Sequence, residues 1–82
     1  MILKFEDRYR EMHEIAKCKT IEKLNIEMKT YLSKINFKSY YYNITLISNS
    51  EVRVDYGSHS EFFYVYSEKD ENLRELFGFS SK

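Results

Sequence analysis

At 82 residues the chain has room for one domain, 1–82, whose core hides somewhat over ~60% of its unfolded surface. Thirteen basic and thirteen acidic side chains cancel. That balance excludes a disordered polyelectrolyte and lacks the basic excess of a domain that grips phosphates unaided. Aromatic residues reach 17%, eight Tyr and six Phe, and large rings give a small core much buried area per residue.

The balance hides a gradient: residues 1–50 carry nine basic and six acidic side chains, a net of +3, and residues 51–82 a net of −3. Cys18 is the only cysteine, so no internal disulfide forms, as expected in a reducing compartment. No apolar run is long enough to span a bilayer, and the N-terminus turns acidic at once instead of opening a secretory signal. A cytoplasmic location with no membrane partner is the expectation. No Pro, two Gly and abundant Lys, Ile, Asn, Tyr and Phe match AT-rich codons, which points to an AT-rich bacterium or one of its phages.

Ile2, Phe5, Tyr9, Met12 and Ala16 recur at three- and four-residue steps, with Lys4, Asp7, Arg8, Glu11 and Glu14 opposite. That spacing predicts an amphipathic helix, although Met1–Phe5 also suits a short strand. Thr20 is placed to cap a second helix marked by Ile21, Leu24, Met28, Tyr31, Leu32 and Ile35 and ending near Asn36. The pattern then turns to period two. Tyr40, Tyr42, Ile44 and Leu46 alternate with Tyr41, Asn43 and Thr45, and Val52, Val54 and Tyr56 with Glu51, Arg53 and Asp55. A three-residue loop, Ser48-Asn49-Ser50, sets Leu46 opposite Val52 and Ile44 opposite Val54, with Asn49 or Ser50 left-handed. After the turn at Gly57-Ser58-His59-Ser60, a third strand from Glu61 to Ser67 pairs Tyr56 with Glu61. Phe63 and Val65 then face the core, and Phe62, Tyr64 and Tyr66 share the other face with Arg53 and Asp55. The register one residue along buries Phe62, Tyr64 and Tyr66 instead; the first is preferred because tyrosine tolerates a wet face better than valine. Asp70 caps a short last helix holding Leu73, Leu76 and Phe77, which Gly78 stops. The expected fold is α+β, ordered α-α-β-β-β-α, a three-stranded antiparallel meander with helices packed on one face.

Little chemistry stands out. His59 lies near Ser58, Ser60 and Asp55 in sequence, but adjacency is not the geometry of a nucleophilic triad, and it reads as a polar turn residue. His13 has no second His or Cys at helical ligand spacing and reads as a half-buried structural residue; no metal is expected. Cys18 reads as a small hydrophobe. With only Gly57 and Gly78, neither a P-loop nor a dinucleotide fingerprint is present, and no cofactor is expected. Lys34, Lys38 and Tyr40-Tyr41-Tyr42 form an acid-free stretch suited to single-stranded bases, but strand neighbours alternate faces, so the three rings cannot make one platform.

The third strand is the most informative segment. In a meander it lies at the sheet edge, with apolar or aromatic residues on both faces and none of the usual edge protection. A non-enzymatic protein-binding module follows, an inhibitor or adaptor docking on a larger protein, or pairing with a second copy through the Glu61–Ser67 edge. Tyr41, Arg53, Asp55, Phe62, Tyr64 and Tyr66 are its expected contacts. A phage inhibitor of the anti-CRISPR kind fits such a chain, as do small immunity proteins and antitoxins. Two rival readings remain. Two helices followed by an antiparallel sheet resemble RelE-like ribonuclease toxins, which implies activity depending on Arg53, His59 and Tyr64. A nucleic-acid-binding regulator would use residues 29–42.

Overall fold

Met1, Leu3 and Phe5 are buried, while Ile2, Lys4 and Glu6 between them are half-buried, so period two governs the N-terminus. The computed structural model describes residues 1–38 and 42–79. Its elements are β1 (Ile2–Glu6), β2 (Met12–Lys17), α1 (Ile21–Lys34), β3 (Asn43–Ser48), β4 (Glu51–Asp55), β5 (Phe62–Tyr66) and α2 (Leu73–Leu76). The first predicted helix is therefore a hairpin.

Both spacings fit the same residues, and the turn decides between them. Asp7 Oδ1 accepts from the backbone N–H of Tyr9 at 2.8 Å and of Glu11 at 3.0 Å, and Arg10 takes a left-handed φ of 67°. A carboxylate bonding its own neighbours offers the backbone an alternative to the helical ladder. The gain is collective, because β1 pairs with β2 on one side and with β5 on the other. The five strands form one antiparallel sheet in the order β2-β1-β5-β4-β3. This corrects the expected meander: β5 is the central strand, with both of its edges paired. β5 therefore has no free edge to offer a second copy. The true edges, β2 and β3, each carry a register shift, at Leu3/Lys4 and at Leu46/Ser48, and such irregularities discourage edge-to-edge pairing.

The β3–β4–β5 registers match the expectation, with Leu46 opposite Val52, Ile44 opposite Val54, Val52 opposite Val65 and Val54 opposite Phe63. The loop differs. Ser48 pairs with Glu51, the shift after Leu46 absorbs the extra residue, and among described non-glycine residues only Arg10 and Asn36 have positive φ. Asn49 and Ser50 thus need no left-handed backbone. Tyr42, expected in the core, stands exposed before β3, and Tyr40 and Tyr41 fall outside the described residues.

Helix α1 starts as its cap predicts. Thr20 is extended, and its Oγ1 accepts from the Lys23 N–H at 3.2 Å. Its Leu24, Met28 and Leu32 lie against Leu3, Phe5, Val52, Val54, Phe63 and Val65, and the Tyr31 ring lies tilted with its centroid 4.7 Å from that of Phe5. Thr20→Ala should cost about 1 kcal/mol and lower the thermal midpoint by about 4–8 °C in a melt followed by circular dichroism.

The cap of α2 is Asn72, not Asp70: its Oδ1 accepts from the N–H of Arg74 and Glu75. Gly78, φ 77°, ends the helix as expected, with Phe79 N–H bonded to Arg74 O and Gly78 N–H to Glu75 O. The backbone N–H of Leu73 donates to Asn49 O, which ties α2 to the β3–β4 turn and sinks Leu73 into the shared core. Both helices thus cover one face of the sheet.

Before α2, Glu71 clasps the turn. Its Oε1 accepts from Ser67 Oγ and the Glu68 and Lys69 N–H groups at 2.9–3.1 Å, and its Oε2 from the Met1 ammonium at 3.2 Å. The Lys69 N–H foremost, then the ammonium, hold its carboxyl at about 2 against an ordinary 4.5. A carboxyl depressed on folding adds stability that is complete above its unfolded value and fades as pH falls through the folded one. The melting temperature should therefore drop between pH 4.5 and pH 2, with a shallower drop in Glu71→Ala.

Candidate functional site

Alternation along the three middle strands puts a second set of side chains on the face away from the helices. Phe62, Tyr64 and Tyr66 come from β5, Ile2, Lys4 and Glu6 from β1, and Glu51, Arg53 and Asp55 from β4. Register places Tyr64 between Lys4 and Arg53, and Tyr66 between Ile2 and Glu51. Of the expected contacts, Arg53, Asp55, Phe62, Tyr64 and Tyr66 therefore share one face; Tyr41 lies outside the described residues.

The rings interlock with the cations beside them. Tyr64 and Tyr66 stack with centroids 6.2 Å apart and planes 18° from parallel. Lys4 Nζ sits 5.3 Å above the Tyr66 ring, and the Arg53 guanidinium 5.1 Å above Phe62. Each such contact at a wet surface contributes about 0.5–1 kcal/mol and covers part of the ring with an aliphatic stem. The three rings are consequently half-buried. The Tyr64 hydroxyl donates to Glu6 Oε1 at a long 3.5 Å. Burial foremost, then the Glu51 carboxylate, pushes the Tyr66 hydroxyl up, so it stays a neutral donor.

Charges on this face are mixed. Lys4, Lys17 and Arg53 are interspersed with Glu6, Glu14, Glu51 and Asp55. Asp55 is also engaged locally, its Oδ1 accepting from the Gly57 N–H at 2.9 Å, so its part in the site is to hold the turn. Sequence reasoning missed Lys4 and Glu6, which a helical reading of the N-terminus separates from the sheet.

At one corner of this face Glu6, Arg10, Arg53, His59, Phe62 and Tyr64 line a cavity of about 340 Å³. Arg53, His59 and Tyr64, the residues a ribonuclease reading requires, thus do come together. A second cavity, of about 560 Å³, opens between β1 and α1 beside Phe5, Arg8, His13, Tyr31 and Glu61. His13 is exposed there, against expectation, with Nε2 2.8 Å from Asp7 Oδ2. That hydrogen bond foremost holds the Asp7 carboxyl below its ordinary value. Asp7, Glu11 and His13 bring ligand-capable atoms within 4.8 Å of one another, a grouping that ligand spacing on a helix did not anticipate. Both Asp7 oxygens are engaged by the turn and by His13, so the trio is explained as the clasp of the hairpin. Cys18 is buried, as expected, and burial pushes its thiol up. Among the described residues no helix is long and apolar enough to cross a membrane. Comparison of the chain with family models, with curated proteins and with solved structures finds no match.

Proposed function

We propose that the protein is a non-enzymatic binding module, a small inhibitor or adaptor that docks on a larger protein through the open face of its sheet. The observation that carries this is the ring row Phe62, Tyr64 and Tyr66 at the centre of a five-stranded sheet with both helices of the described residues on the other side. Small antiparallel sheets bury one face, and an uncovered face is ordinarily polar. This one spends its central strand on tyrosine and phenylalanine, residues that give large contact area at low entropic cost and recur at interface centres. A blocking function of the anti-CRISPR, immunity-protein or antitoxin kind requires such complementarity and no chemistry.

The interspersed carboxylates favour a protein partner over nucleic acid, since a phosphate chain laid across the face would meet Glu6, Glu14 and Glu51. Tyr64→Asp and Tyr66→Asp are the test. Each should stay folded by circular dichroism yet lose partner capture or self-association, while Ile26→Asp on the exposed side of α1 keeps it.

One observation favours a second reading. Lys29, Ser33, Asn36, Phe37, Lys38 and Tyr42 line an acid-free cavity of about 450 Å³, the chemistry a single-stranded nucleic acid would use. Binding there would weaken steeply with salt and would survive Tyr64→Asp.

A further inference from the structure

We infer that the corner cavity on the open face recognises a carboxylate, an Asp or Glu side chain presented by the protein partner; this rests on the docking reading above. The cavity gathers two arginines, Arg10 and Arg53, with His59, against a single carboxylate, Glu6. The arginines outnumber it by one, which matches a singly charged group. Arg53 is the recognising residue. Its guanidinium lies over Phe62, which fixes the plane of the fork. Its Nε is shut off from solvent and has no hydrogen-bond partner among the described residues. A buried donor without an acceptor costs free energy that a ligand restores. To meet an incoming carboxylate with its Nε–Nη edge the guanidinium must turn off the Phe62 ring, and the two oxygens of a carboxylate match that edge.

Arg10 reaches this corner only because the β1–β2 turn takes a left-handed residue there, so the hairpin positions a second cation beside β5. A phosphodiester chain fits less well: it carries charge beyond the cavity, onto a face where Glu14, Glu51 and Asp55 stand.

The test uses the full chain, labelled with ¹⁵N, and two capped hexapeptides, one rich in Asp and Glu and the other with Asn and Gln in their places. The acidic peptide should shift the Arg53 Nε–H signal saturably while its amide counterpart leaves it in place. Arg53→Gln should weaken acidic-peptide binding, followed on the neighbouring Phe62 and Tyr64 amides, by at least about tenfold. Arg53→Lys, which keeps the charge and removes the fork, should lose most of the same affinity. No saturable shift up to ~10 mM peptide would overturn the inference. So would an equal response to inorganic phosphate, or cleavage of an oligoribonucleotide that His59→Ala abolishes. If the peptide fails while Tyr64→Asp still abolishes partner capture, the corner alone is misassigned. Should both fail, the docking reading goes with it.

Discussion

Phe63→Ala is expected to cost about 3–5 kcal/mol. At ~0.05–0.15 kcal/mol per residue, a domain of this length holds only roughly 4–12 kcal/mol, so the variant should be largely unfolded or close to it. Phe63 is fully buried, with ring centroids 5.4 Å from Phe5, 5.9 Å from Tyr31 and 5.2 Å from Tyr56. Those three partners come from β1, from α1 and from the residue just after β4, so no single element can relax into the cavity. Urea denaturation measures the loss directly. A cost under ~1 kcal/mol would mean that Phe63 faces solvent and that β5 is one residue out of register.

One position along the strand, the expected result reverses. Tyr64→Asp should cost about 1 kcal/mol of stability, through its lost stack on Tyr66 and the poor strand propensity of Asp. Its effect on partner binding should be far larger, at least about 2 kcal/mol or roughly 30-fold, because a charge placed among central rings must be desolvated when the partner seats. Denaturation and affinity measured on the same preparations separate the two effects. The contrast between adjacent residues follows from strand alternation alone. Equal loss of folding in both variants would place Tyr64 in the core.

Much of this arrangement was legible in the residues. The 3.6-residue recurrence of Leu24, Met28 and Leu32 behind Thr20 has one interpretation, and α1 follows it. Apolar matching across β3 and β4 set their register, because a slip by one residue there puts Arg53 or Asp55 against the core. By contrast β5, apolar or aromatic on both faces, was placed only by the greater tolerance of tyrosine than of valine for a wet face. The N-terminus was not legible in that way. Ile2, Phe5 and Met12 satisfy helical spacing while Met1, Leu3 and Phe5 satisfy alternation, and only pairing with β5, sixty residues along the chain, favours the strand. That contact also accounts for the misplaced edge. Aromatic and apolar residues on both faces of β5 suit a central strand, and with the hairpin read as a helix only three strands remained to surround it.

The candidate site divides along the same line. Arg53 follows from the strong alternation within β4, and Phe62, Tyr64 and Tyr66 from the weaker signal that tyrosine tolerates a wet face in β5 better than valine. Lys4, Glu6 and Arg10 reach the face only through the hairpin, and the left-handed backbone at Arg10 carries no compositional signal, since glycine or asparagine usually marks such a position. Asp7 was the available clue: a short carboxylate followed by polar residues is a turn former as much as a helix-surface residue.

Site-specific photocrosslinking in the native host tests the docking face most directly, with p-benzoyl-phenylalanine replacing Tyr64 in one variant and Ile26 in another. The account predicts one discrete protein adduct from position 64 and none from position 26, which lies exposed on the outer side of α1. Adducts from position 26 alone, or adducts at position 64 only to nucleic acid, would contradict it.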